Sequence, residues 1–208
     1  MPLLIDQSPV TANLPESHTL ADAIAWAQTQ LPEGKIITAV ALDGVALEGE
    51  PLNQARPQPL GGRTLSLTTS DRKELSLSML GKLYAMVEWL APQHKEVAAL
   101  LEKGDQSAAF EKLGHIFTAW QQIQNAFSGL AKLNNIVPSE LPVRELTGDA
   151  ILNEFCRQLA EMQNALQNRD FVLLADILQY EMDGATANWV SLLESTLAAV
   201  APEAAAAS

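Results

Sequence analysis

The stretch RTLSLTTSDRKELSLSMLGKLYAMVEWLA, residues 63–91, changes period halfway along. Leu65 and Leu67 alternate with polar neighbours, the period-two pattern of a half-buried strand. From Leu75 onward the apolar residues Leu75, Met79, Leu83, Met86 and Leu90 step by three or four, one stripe of a helix. The switch near residue 70 predicts an α+β chain of two domains, a small strand-rich one over 1–70 and a larger helical one over 71–200. The remaining tail, 201–208, is low in complexity and is expected to fray.

Upstream, the segments are short. LLID and VTANL flank Gln7-Ser8 and read as a β-hairpin. TLADAIAWAQTQL, residues 19–31, is helical: Thr19 caps it, Asp22 completes a capping box, and Leu20, Ile24, Ala27 and Leu31 share a face. Pro32 and Gly34 end it. KIITAVALDGVALEGE is rich in β-branched residues and carries Asp43-Gly44, a hairpin turn. PLNQARPQPLGG, residues 51–62, holds three prolines and two glycines and reads as a connecting loop.

The order strand, strand, helix, strand, short strand, strand resembles the β-grasp (ubiquitin-like) fold. The resemblance covers about the first third of the chain and rests on element order; no family is recognised for the whole chain. In β-grasp sulfur carriers a diglycine follows the last strand and ends the chain. Here Gly61-Gly62 precedes the last strand, and most of the sequence follows it. The pair is therefore expected to be a turn, where glycine tolerates positive φ.

In the helical half, Pro92 is expected to kink or break the first helix, with PQHKEVAALLEK resuming behind it. Gly104-Asp105 reads as a turn and a cap. SAAFEKLGHIFTAWQQIQNAFSGLAKL follows, with a seam of Phe110, Leu113, Phe117, Trp120, Ile123, Phe127 and Leu130. Residues 134–148 read as a long loop. DAILNEFCRQLAEMQNALQ is helical on Ile151, Phe155, Leu159, Met162 and Leu166, Asn168-Arg169-Asp170 turns the chain, and a last helix runs from Phe171 towards Val200 with Asp183-Gly184 as a weak point.

A weak internal repeat relates ALLEKGDQSAAFEKLGHIF to NALQNRDFVLLADILQYEM, 65 residues later. It sets Leu101 on Leu166, Asp105 on Asp170, Leu113 on Leu178 and His115 on Tyr180. Two antiparallel helical hairpins, and so a roughly four-helix bundle, are the expected architecture.

Composition narrows the function. Asp and Glu number 25 against 13 Lys and Arg, a net charge of −12. Such a surface repels nucleic-acid phosphates and anionic membranes. A single cysteine, Cys156, can form neither an internal disulfide nor a thiolate cluster and fits a reducing cytoplasm. The first residues show no signal-peptide pattern, and no apolar run approaches the roughly 20 residues of a membrane span. A soluble cytoplasmic protein is expected.

Each candidate chemistry has a structural competitor. Di-iron bundles need Glu-x-x-His pairs, and none of His18, His94 and His115 has glutamate three residues before it. Glu111 and His115 share only i, i+4 spacing. Cys156, beside Phe155, is expected to pack in the core. Asp170, Asp176, Glu181 and Asp183 read as caps and a solvated face. No catalytic, cofactor or metal site is therefore expected. Trp89, Trp120 and Trp189 lie on three helices, where core packing is the first explanation.

The apolar seam together with FVLL, residues 171–174, exceeds what a small bundle buries, and such a surplus marks a partner. Phe110, Phe117, Trp120, Phe127, Phe171, Leu174 and Trp189 are the candidate partner-binding residues. The expected function is a non-enzymatic protein-interaction module, an adaptor or chaperone-like binder, similar in class to the small acidic helical export chaperones of bacterial flagella. The rivals are a ligand-binding protein or enzyme with its site at the domain junction, and a structural homodimer.

Overall fold

The computed structural model describes residues 2–11, 15 and 17–201. The chain is mixed α+β and divides into two compact units, Met1–Leu75 and Ser76–Ser208. The expected strand beyond Thr11 and the tail beyond Ala201 lie outside the described residues. Ala201 itself is not frayed: it is buried, and its N–H donates to the Leu197 carbonyl at 2.8 Å.

The first unit is a five-stranded sheet with one long helix. Strand β1 (Leu3–Ile5) turns into β2 (Ser8–Val10) through Asp6 and Gln7, both at positive φ. The turn thus sits one residue before the expected Gln7-Ser8. The same geometry, at Asp43-Gly44, joins β3 (Lys35–Leu42) to β4 (Val45–Leu47). Positive φ at both central residues matches the twist of paired strands. Strand β5 (Leu65–Asp71) runs parallel to β1 and antiparallel to β3, giving the order β2-β1-β5-β3-β4. The Asp6 carboxylate accepts from the Thr69 N–H at 2.8 Å and the Thr69 hydroxyl at 2.6 Å, tying the first hairpin to β5.

Helix α1 (Leu20–Gln30) has the Thr19–Asp22 capping box. Its Leu20, Ala23 and Ala27 pack with Leu3, Val40, Leu42, Leu65 and Leu67 of the strands. Leu65 and Leu67 are buried as their alternation requires. Gly61 and Gly62 both have positive φ and form a turn ahead of β5. The loop expected over 51–62 is in part a short helix, α2 (Gly49–Ala55). Pro51 falls in its first turn, where a missing N–H breaks no helical bond.

Helix α3 (Arg72–Glu102), which belongs to the second unit from Ser76 on, is one helix of 31 residues, so Pro92 does not break it. Glu88, the residue whose carbonyl Pro92 leaves without a helical donor, is on the exposed side with Pro92. Water can serve that carbonyl, while Leu90, His94 and Val97 are buried on either side of the proline. Helix α4 (Gln106–Leu133) follows. The long loop expected over 134–148 contains a two-stranded ribbon, β6 (Pro142–Val143) with β7 (Leu146–Thr147). Thr147 caps α5 (Gly148–Gln167), accepting from the Ala150 N–H. The last segment is α6 (Phe171–Asp176), a π-helical turn over Ile177–Glu181, and α7 (Met182–Val200). Its irregularity precedes the expected Asp183-Gly184. One apolar core joins α3, α4, α5, α6 and α7 with Leu141 and Val143 of the ribbon segment.

Candidate functional site

The centre of that core is aromatic. Trp120 lies 4.4 Å from Phe155 and 5.8 Å from Trp189, centroid to centroid. Phe127 and Phe155 each meet Trp189 edge-on at 5.6 Å. The Trp120 Nε1–H donates to His94 Nε2 at 3.0 Å. An accepting Nε2 places the neutral ring's proton on Nδ1. Burial holds this imidazole down at about 4, against a weaker upward pull from Asp183. His94 is a core residue.

This core takes four of the seven expected partner-binding residues out of the exposed surface. Trp120, Phe127, Leu174 and Trp189 are all buried. The reason is phase: on a wide apolar stripe the centre is buried and only the edges face out. Phe117 is half-buried against the core. Phe110, 38% exposed, and half-buried Phe171 stand at the edge, with ring centroids 5.4 Å apart.

Two turns bring that pair together. After α3, Gly104 at positive φ donates to the Leu101 carbonyl and Asp105 to the Leu100 carbonyl. After α5, Arg169 at positive φ donates to Leu166 and Asp170 to Ala165. Both are Schellman turns. Each aspartate then caps the next helix, Asp105 accepting from the Ala108 N–H at 3.2 Å and Asp170 from the Leu173 N–H at 3.0 Å. Every bond in the second turn lies 65 residues after its counterpart in the first. Phe110 stands at the start of the second turn of one following helix and Phe171 is the first residue of the other.

Around the pair, Val172 is 77% and Leu173 45% exposed. A shallow cavity of about 240 Å³ opens beside them, lined by Leu101, Phe171, Val172 and Ala175 with the carboxylates of Glu102 and Asp176. No base is among its lining residues. The result is an apolar patch with an acidic rim.

A second concavity, of about 350 Å³, lies between α4 and α5. Phe127 and Ala131 face Leu152, Phe155 and Cys156 across it, and Ile136 and Pro138 close one end. Gln124, Ser128 and Lys132 line one edge at successive turns of α4. Cys156, expected in the core, is exposed here: it sits one position past buried Phe155 and points off the stripe. A third groove, of about 610 Å³, runs between α1 and β3. There the Gln28 side chain donates to the Lys35 carbonyl at 3.0 Å and accepts from the Ile37 N–H at 3.3 Å, standing in for a neighbouring strand.

Among the described residues no three His, Cys, Asp or Glu side chains converge to hold a metal, and no helix is long and apolar enough to cross a membrane. The chain is thus a mixed α+β protein whose exposed apolar patch and α4–α5 cleft both belong to its helical unit. Residues 78–191, more than half the chain, match a family described as a domain of unknown function, DUF8042, and the chain belongs to that family. The match spans the paired turns, the patch and the cleft. No curated protein and no solved structure matches the chain.

Proposed function

We propose that the chain is a non-enzymatic cytoplasmic interaction module that grips a partner protein on the patch around Phe110 and Phe171. The first unit is read as β-grasp-like, and the second as an antiparallel four-helix bundle of two hairpins repeated at 65 residues. The observation that carries the reading is the conjunction of exposed Val172 and Leu173 with a cavity rimmed by Glu102 and Asp176. Exposed aliphatic residues in one helical turn, beside an aromatic pair, supply the apolar centre of an interface.

The rim specifies the partner. Carboxylates around an apolar patch favour a segment that carries apolar residues flanked by lysine or arginine, such as an amphipathic basic helix. They also disfavour self-association, because a two-fold contact through this patch would set Glu102 and Asp176 against their own copies. The deciding experiment is capture from a native lysate on the full chain, beside the double variant Val172→Asp, Leu173→Asp. A stoichiometric partner held by the wild type and released by the variant supports the reading. A partner held equally by both moves the interface elsewhere, and no partner at low or moderate salt sinks it.

A further inference from the structure

We propose that the cleft between α4 and α5 binds a small apolar acid, a molecule with a hydrocarbon body and one terminal carboxylate. This site shares no residue with the partner patch and stands independently of it. Its volume of about 350 Å³ falls within the range of small-molecule sites, about 300–1,000 Å³. Its apolar lining, Phe127, Ala131, Ile136, Pro138, Leu152 and Phe155, is hydrocarbon surface for an aliphatic chain.

The charge of the cleft selects an acid. The protein carries −12 overall, yet among the described residues no carboxylate lines this cleft. Its only charged lining residue is Lys132, which has no carboxylate within ion-pair distance among the described residues. Ser128 and Gln124, one and two turns earlier on α4, add a hydroxyl and an amide along the same edge. An apolar floor bordered by two neutral donors and one unpaired ammonium matches a single negative charge on an apolar body. An alcohol of the same length would leave the ammonium unmatched, and a cation would be repelled by it.

The test uses the full chain with decanoate as probe and decanol as the uncharged control. Binding is read by calorimetry and by the rate at which iodoacetamide alkylates Cys156, which lines the cleft and is exposed. Decanoate is expected to bind one molecule per chain and to slow alkylation. Decanol is expected to bind about tenfold more weakly, and Lys132→Met to weaken decanoate about tenfold while leaving decanol unchanged. Ser128→Phe is expected to fill the cleft and abolish both. If that variant does not fold, Lys132→Met, a change at an exposed helical position, decides alone. The proposal is overturned by no decanoate binding at about 1 mM, by equal affinity for decanol, by equal affinity of the Lys132→Met variant, or by binding that leaves Cys156 alkylation unchanged.

Discussion

The His94 imidazole is buried with Trp120 Nε1–H on its Nε2, and its Nδ1 has no hydrogen-bond partner among the described residues. Its folded-state pKa is held down at about 4, against 6.5 for the free ring. Between those values the unfolded chain binds a proton that the folded chain refuses. Stability is therefore full above about pH 6.5 and falls as the pH drops towards 4, by about 3 kcal/mol in all. Urea midpoints across that range check this, and His94→Leu should flatten the curve while lowering stability at neutral pH. An unchanged slope in that variant would mean that another group carries the effect. Asp6 and Asp22 act in a lower window. Hydrogen bonds from Thr69 and Thr19 hold their carboxyls below 3.8, so their contribution persists until the pH falls through those lowered values. Arg169 is a second position where one residue decides. It occupies the left-handed conformation that Gly104 adopts in the matching turn, and a side chain there is strained where glycine is not. Arg169→Gly should raise stability by about 0.5–1 kcal/mol in thermal melts.

At the scale of elements, the π-helical turn has a counting explanation. Buried positions on α4 run Leu113, Ile116, Trp120, Ile123, Phe127 and Leu130. On the last segment they run Leu178, then Met182, Thr186, Trp189, Leu193 and Thr196. The spacing is 65 from Ala109 to Leu174, ahead of the π turn, and at Leu178 within it, and 66 from Met182 on, so the turn absorbs one extra residue and keeps the stripe facing the core. Deleting Tyr180, which is exposed within that turn, should convert it to ordinary helix and preserve a cooperative melt. Deleting Asn188 in α7 should rotate the following stripe by about 100° and unfold the protein. Circular dichroism on both deletions separates the two cases; equal damage would refute the insertion.

The same scale shows what could be read from sequence. The capping box at Thr19, the Asp43-Gly44 turn, the aspartate caps and the period change at residue 70 depend on neighbours within a turn, and all are local signals. Helix α2 and the β6–β7 ribbon are short, and sequence period cannot report elements of so few residues. Pro92 misled because local propensity was overruled by the buried stripe on both sides of it. The stripe itself was legible, but its phase was not: aromatic size marks Phe110 and Trp120 alike, while only the packing of the neighbouring helices separates an edge from a centre. The α4–α5 cleft had no sequence signal, because it is made by residues from two helices and the segment between them.

For the whole molecule, the charge excess and the apolar surplus are parts of one surface problem. A net charge of −12 opposes self-association through the exposed Val172 and Leu173. Neighbouring leucines should therefore behave oppositely. Leu173 is 45% exposed and Leu174 is buried. Leu173→Asp should shift stability by no more than about 0.5 kcal/mol, because the new carboxylate stays in water, and should abolish partner capture. Leu174→Asp should cost about 4 kcal/mol or more, because it places an unpaired charge in the core. If the proposed partner binds through the rim of Glu102 and Asp176, its binding should weaken as salt rises, chiefly through a slower association rate. Denaturation of both variants, with association rates at two salt concentrations, checks the pair of claims together. A Leu173→Asp protein that unfolds would place that side chain in the core and withdraw the patch; one that folds and still captures the partner would withdraw only its role.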